Sequence, residues 1–263
     1  MIMKRTPIIP DLEKIPEEFH TLLRLSRVYD SSCSPEAAVY FLDYKDGFYL
    51  KSAPAGSLNT EAQMTRWFHS RKLSAEVLTY LQDQQDWLLT RRIPGEDCTH
   101  PQYLSDPVRL CDTTARILRH LHESDPSRCP ITDQNDRHVR AAREGYARNF
   151  WEPELFETVW EFPSKEYAWK TAQEVIPCLR SDVVLHGDYC LPNVLLQDWN
   201  FSGFIDVGGG GLGDRHFDLL WGSWTLMFNL KTNRYFDRFL DAYGRDQVNL
   251  DILRGTAAIE IIG

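Results

Sequence analysis

A chain of 263 residues with 43% hydrophobic and 12% aromatic side chains can build one large domain or two lobes around a substantial core, and 25% charged residues is ordinary for a globular protein. No apolar run reaches the length of a membrane helix, and six scattered cysteines with no C-x-x-C pair leave neither a zinc frame nor an evident disulfide frame. A formal charge of −9 argues against nucleic acid as partner, because phosphates would be repelled.

That charge is unevenly placed. Residues 1–92 carry 12 basic and 12 acidic side chains, so the remaining 17 basic and 26 acidic ones put the whole excess in the second part. Such a balance suits a cationic small molecule, although a solvated acidic surface accounts for the same numbers. The N-terminal MIMKRTPIIPDLEKIPEEF has bases but no apolar stretch, since Pro7, Pro10 and Asp11 interrupt it. A cytoplasmic location is the expectation.

Residues 11–24 read as one amphipathic helix, with Leu12, Ile15, Phe19, Leu22 and Leu23 near helical spacing. A strand over Leu25–Tyr29 follows. The strands Ala38–Asp43 and Phe48–Lys51 then flank a hairpin loop containing Asp46-Gly47. Leu58–Lys72 is helical by pattern, with Ser57 or Asn59 as its cap. Val77–Leu81 and Trp87–Arg92 form a second hairpin around Gln82–Asp86, and strand character stops at Pro94. Long helices are expected over Leu104–Glu123, Asp136–Tyr146 and Lys165–Leu179, the first stopped by Asp125-Pro126. His120 and His122 sit two apart on the first of these, point away from each other and read as structural.

The densest chemistry lies in VVLHGDYCLPNVLLQDWNFSGFIDVGGGGLG, Val183 to Gly213. Three short apolar runs, Val183–Leu185, Val194–Leu196 and Phe204–Val207, read as strands that deliver His186-Gly187-Asp188, Asn193 and Asp206 at their ends. Two carboxylates and an amide are oxygen donors suited to Mg²⁺. The order H-G-D-x-x-x-x-N, then I-D-x-G, parallels the protein-kinase order H-R-D-x-x-x-x-N, then D-F-G. Mapped onto it, Asp188 is the base that orients a hydroxyl, and Asn193 and Asp206 hold the metal against the phosphates. Lys51 is the candidate strand lysine for the phosphates, and Glu61 its ion-pair partner; a first-turn acid complementing the helix dipole explains Glu61 equally well. Gly208-Gly209-Gly210-Gly211-Leu212-Gly213 satisfies G-x-G-x-x-G, but no parallel strand follows and G-K-[ST] is missing. The run reads instead as flexible backbone at the lip of the metal site. Helices after it run from about Asp214 to Leu230, over Phe236–Tyr243 and over Asn249–Ile262.

The segments HGDYCLPNVLL and SGFIDVGGGGLGDRHFDLL resemble the aminoglycoside phosphotransferases, above all the 3′-phosphotransferase group with its HGD-x-CLPN and GFID-x-G. The likeness extends thinly over nearly the whole chain. It implies an α+β, two-lobed protein-kinase-like fold: a small antiparallel-sheet lobe, residues 1–93 including the hinge, and a mostly helical lobe, residues 94–263. The S-P-x-x-x-V-Y segment beginning at Ser34 matches the family's nucleotide loop, so Ser34 is expected at phosphate and Tyr49 near adenine. The resemblance puts the adenine edge against the main chain of Arg91 and Ile93, with Thr90 behind. His186 and Asp218, the latter from D-R-x-x-D, support the catalytic loop. Glu152 and Glu154, in an acidic aromatic segment, are the expected substrate acids, although a surface helix with solvated acids would read the same. Glu260 matches a C-terminal acid of the family, but the ending Ile261-Ile262-Gly263 does not, and Gly209 stands where many relatives have arginine.

Together these readings give an ATP- or GTP-dependent, Mg²⁺-assisted O-phosphotransferase acting on a hydroxyl of an aminoglycoside, the 3′-hydroxyl by resemblance, and conferring resistance. The expected partner is that cationic substrate, with no nucleic acid or membrane, in a monomer or weak dimer. Two alternatives stay open: a kinase of the same fold for a macrolide, choline-like, homoserine or sugar acceptor, and an inert nucleotide-binding pseudokinase.

Overall fold

The computed structural model describes residues 5–263, so the first four residues of the N-terminal stretch read above lie outside the described residues. Contacts gather into two compact units. The first comprises the residues up to His100 together with Leu195–Gly208; the second comprises Pro101–Val194 and Gly209–Gly263.

In the first unit, β1 (Thr6–Pro7) precedes a short 3-10 turn at Leu12–Lys14 and helix α1 (Glu17–Leu25). The single helix expected over 11–24 is therefore split. Pro16 lacks an amide hydrogen and sits with ψ at 143°, so α1 begins after it. Strands β2 (Arg27–Asp30), β3 (Ala38–Asp43) and β4 (Phe48–Pro54), helix α2 (Asn59–Ser70), and strands β5 (Val77–Gln82) and β6 (Gln85–Arg91) follow. The strands form one antiparallel sheet in the order β1-β2-β3-β4-β6-β5.

Alternation along β4 gives the two faces of this sheet different tasks. Phe48 and Leu50 join Phe19 and Leu23 of α1 with Leu42, Trp87 and Leu89 in one apolar core. Burying each such side chain contributes about 1.5–3 kcal/mol. Tyr49, Lys51 and Ala53 point to the other face, where Leu58 and Ala62 pack α2 against Ala53 and Leu88.

The chain leaves this unit after β7 (Glu96–Asp97) and comes back to it later. Strand β8 (Val183–Leu185) belongs to the second unit, whereas β9 (Val194–Gln197) and β10 (Asn200–Phe204) pair with each other and, through β9, with β7. Sequence pattern puts the last strand at Phe204–Val207; it ends at Phe204 because the chain turns sharply at Asp206, whose φ is +54°. The glycines beyond are ordered rather than loose: a 3-10 turn at Val207–Gly209 leads into β11 (Gly211–Gly213), which pairs antiparallel with β8.

The second unit is mostly helical. The helix expected over Leu104–Glu123 begins three residues later, as α4 (Pro107–His122), because Asp106 caps it through Arg109 N at 3.1 Å and Pro107 fills its first turn; the short α3 (Pro101–Leu104) precedes it. Then come α5 (Gln134–Ala147), α6 (Lys165–Val175), α7 (His216–Leu230), α8 (Phe236–Gly244) and α9 (Leu250–Glu260). Helix α4 packs on α8, α6 on α9, and α7 on both α8 and α9. No helix among the described residues is long and apolar enough to cross a membrane.

Candidate active site

The first unit carries a half-buried cation with two carboxylates on it. Lys51 Nζ, on β4, lies 3.0 and 2.8 Å from the two oxygens of Glu61 in the first turn of α2, and 2.8 Å from Asp206 Oδ1. Burial works against the ammonium charge, but Asp206 and Glu61 outweigh it and hold Lys51 protonated to well above the ordinary lysine range. Burial also lifts the Glu61 carboxyl, with Lys51 opposing.

Two long-range anchors make this meeting possible. Asp86, fully buried, accepts from Leu58 N at 2.8 Å and from Tyr80 Oη at 3.0 Å, and so fixes the start of α2. The cap expected from Ser57 or Asn59 is not used: the Ser57 hydroxyl donates to Pro54 O instead. Asp206 is carried in by β10, which docks on the segment after α2. Phe204 N donates to Leu73 O at 2.7 Å, Ser74 Oγ donates to Phe204 O at 2.8 Å, and Phe68 meets Phe204 edge-on at 5.9 Å. Asp206 then adopts left-handed backbone, which Asp tolerates better than bulky residues, and its side chain stays half exposed.

The second unit holds the HGD loop. Strand β8 is wholly buried, and His186 N and Gly187 N, at its end, donate to the two oxygens of Asp218 at 2.7 and 2.9 Å. Asp218 opens α7, is fully buried and is also 3.1 Å from His122 Nε2. Burial pushes its carboxyl up, but the bonds with His122 and the loop amide overcome this and leave it below the usual carboxylate range. Burial also keeps His122 below the ordinary histidine value, hence neutral; Tyr243 Oη lies 2.8 Å from its Nδ1. Gly187 has φ +85°, and a Cβ there would fall 1.8 Å from Gly209 O, so only glycine fits.

Past this pin, Asp188 is exposed while its surroundings are not. Tyr189 is buried and donates to Thr114 O at 2.6 Å; Leu191 N donates to Thr225 Oγ1 at 3.1 Å. Asn193, buried, donates its Nδ2 to Asp188 O at 3.0 Å and to Asp188 Oδ2 at 2.7 Å. The arrangement presents one carboxylate to solvent on a rigid frame, which suits orienting a hydroxyl.

The remaining expected residues are distributed over the two units. Tyr49 packs on Phe41 at 5.2 Å, accepts from Arg5 through its hydroxyl at 3.0 Å and shares a sheet face with Lys51 and, by register, with Thr90. Ser34 is exposed in the loop before β3. Arg91 is engaged by Glu76 through side chain and backbone, and Ile93 packs with Ala75 and Leu195. Glu152 and Glu154 are exposed around a 3-10 turn at Pro153–Leu155. Glu260 is not open in that way: Oε1 is 2.8 Å from His138 Nδ1, and Oε2 accepts from Trp221 Nε1 at 3.1 Å. Asp86, Thr225 and Thr114 are supports that sequence reading missed; Asp86 looked like a hairpin-loop residue, and the threonines sit unmarked inside helices.

Among the described residues no three His, Cys, Asp or Glu side chains gather as a metal cage. That fits Mg²⁺, which is held by one or two protein oxygens plus phosphates rather than by an all-protein shell. Asn193 spends its amide nitrogen on Asp188, which leaves its oxygen as a donor that would suit Mg²⁺, and Asp206 offers a half-exposed carboxylate.

A model of the phosphotransferase enzyme family matches residues 35–255. The chain is 45% identical over 254 residues to a probable aminoglycoside 3′-phosphotransferase of Lactococcus lactis, covering 96% of this chain and 97% of that one. It is 23% identical to the crystal structure of an aminoglycoside 3′-phosphotransferase of type VIII, with a TM-score of 0.69 over 94% of this chain and 100% of that chain. An aminoglycoside phosphotransferase of Streptomyces rimosus in complex with ADP and streptomycin matches at 23% identity and a TM-score of 0.70, over 97% and 99% of the two chains. The fold is the α+β kinase-like fold of these enzymes.

Proposed function

Because this chain belongs to the phosphotransferase enzyme family, among its aminoglycoside phosphotransferases, we propose that it moves the γ-phosphoryl group of ATP to a hydroxyl of an aminoglycoside. The 3′-hydroxyl is the acceptor position in the name of the 45% identical relative. The observation that carries the reading is the exposed Asp188 carboxylate held by buried Asn193 at 2.7 Å.

In this reaction Asp188 accepts the proton of the acceptor hydroxyl as its oxygen bonds to the γ-phosphorus, and the bond to the β-phosphate oxygen breaks to release ADP. Lys51 holds the α- and β-phosphates, and Glu61 fixes its ammonium. Ser34 contacts phosphate, while Tyr49, Thr90 and the backbone of Arg91 and Ile93 hold the base and ribose. Asn193 and Asp206 would hold Mg²⁺, which offsets phosphate charge when bound. His186 and Asp218 keep the loop in place. Exposed acids of the second unit, Glu152 and Glu154 among them, meet the amines of the acceptor. The product is a phosphorylated antibiotic, so the host gains resistance. Six scattered cysteines with no C-x-x-C pair suit the reducing cytoplasm as the working compartment.

The test is ATP consumption by the purified protein against a panel of aminoglycosides and unrelated alcohols, with the product located by mass spectrometry. Turnover of kanamycin-like compounds is the expected result. Turnover only of a macrolide, choline, homoserine or simple sugar would refute the acceptor; no turnover of any of them would refute the activity.

A further inference from the structure

Helix α7 is buried along nearly its whole length, and the residues by which it reaches solvent are mostly large and aromatic. Trp221 and Trp224 are half-buried and Phe228 is 55% exposed, at spacings of three and four that place them on one helix face. Trp224 and Phe228 stack at 5.0 Å with 17° between their planes, and Trp221 meets Trp224 edge-on at 5.4 Å. An exposed aromatic stripe on an otherwise buried helix calls for a ligand.

Three observations say which ligand. The stripe already attracts one ammonium, since Lys231 Nζ lies 4.2 Å from the Phe228 ring centre. It adjoins the acidic segment: Phe156, next to Glu157, meets Trp221 edge-on at 5.6 Å, and Glu157 and Glu161 line a cavity of about 530 Å³. Its helix is also tied to the HGD loop, because buried Thr225 takes the bond from Leu191 N. Rings with a negative π face, beside an acidic segment and on a helix bonded to that loop, suit a sugar that carries amines.

We propose that Trp224 and Phe228 form the stacking platform for an amino-sugar ring of the acceptor. This rests on the acceptor class given above and adds the surface that reads it. Glu260 is then a positioning residue: with His138 it holds the Trp221 indole, and Trp221 buttresses Trp224. Glu157 and Glu161 meet amines farther along the acceptor. Lys231 competes for the Phe228 face.

Steady-state kinetics and calorimetric binding of an aminoglycoside to the full chain test this, with Trp224→Ala, Trp224→Phe, Phe228→Ala and Lys231→Met. Loss of a cation–π and stacking surface should raise the aminoglycoside KM of Trp224→Ala about tenfold. Its kcat and its KM for ATP should stay within about twofold, which separates lost stacking from a misfolded chain. Trp224→Phe should recover most of the affinity, and Lys231→Met should tighten binding. An unchanged acceptor KM in both Trp224→Ala and Phe228→Ala overturns the platform while leaving the activity intact. A wild-type dimer that Trp224→Ala dissociates with unchanged KM also overturns it, and makes the stripe a contact between copies. A wild-type chain that neither binds nor phosphorylates aminoglycosides overturns platform and activity together.

Discussion

Replacing Asp218 by Asn should loosen the HGD loop more than any other single-atom change. The wild-type carboxylate is fully buried and takes bonds from His186 N at 2.7 Å, Gly187 N at 2.9 Å and His122 Nε2 at 3.1 Å. With an amide in its place, one oxygen becomes an NH₂ facing a backbone donor, so two buried donors lose their acceptor. Each such group costs about 1–3 kcal/mol, which makes about 2–4 kcal/mol for the variant after partial relaxation. Against a total stability of about 5–15 kcal/mol this is a large loss, and in a chain of this size it lowers Tm by roughly 5–15 °C. The folded-state carboxyl is held below its ordinary value of 3.8. Its contribution is therefore complete above that value and is lost only as pH falls through the folded-state value. His122 works the other way near neutrality: kept neutral by burial, it lowers stability as pH drops through the unfolded histidine value of 6.5. Urea unfolding at about pH 7–8, where both groups are in their resting forms, isolates the substitution. The kcat should fall with the KM for ATP little changed. A variant within about 0.5 kcal/mol of wild type, with full kcat, refutes the pin.

Gly187→Ala forces a Cβ to within 1.8 Å of Gly209 O at φ +85°; left-handed strain and overpacking should together cost about 2–5 kcal/mol, read by thermal unfolding, and a wild-type Tm would contradict the close approach. Lys51→Ala leaves Glu61 and Asp206 without their cation and should raise the KM for ATP at least about tenfold. Because the Lys51 value is raised, its ion pairs stabilise fully below the ordinary lysine value of 10.5 and are lost only at more alkaline pH, so nucleotide affinity should be flat across the neutral range; a loss of affinity near neutrality would count against the assignment. Asp106→Ala removes the α4 cap seen at Arg109 N and should cost about 1 kcal/mol in urea unfolding with no effect on kinetics.

What could be read in the sequence follows how local each feature is. The HGD loop and its Asn lie within eight residues, so their spacing alone states that Asp188 and Asn193 share one turn. β3 and β4 lie on either side of the Asp46-Gly47 turn, as its chemistry indicates. The pairing of Lys51 with Glu61 is short-range enough for position to suggest it. The supports are not local. Asp86 reaches α2 from 28 residues away, and Thr225 reaches the loop from 34; nothing in the neighbouring letters announces either. The helix starts set by Pro16 and Pro107 were legible as chemistry, yet the apolar residues just before them, Ile15 and Leu104, concealed them. The glycine run was misread because glycine's freedom suggests looseness, while here its small size allows β11 to lie against β8 and the turn to pass Gly187.

The most direct test of the central claim is single-turnover phosphoryl transfer by Asp188→Asn, which keeps the side chain's shape and its bond with Asn193 while removing the proton acceptor. With ATP affinity intact, transfer to the aminoglycoside should slow by about 10²–10⁴-fold. Transfer at the wild-type rate would contradict the account.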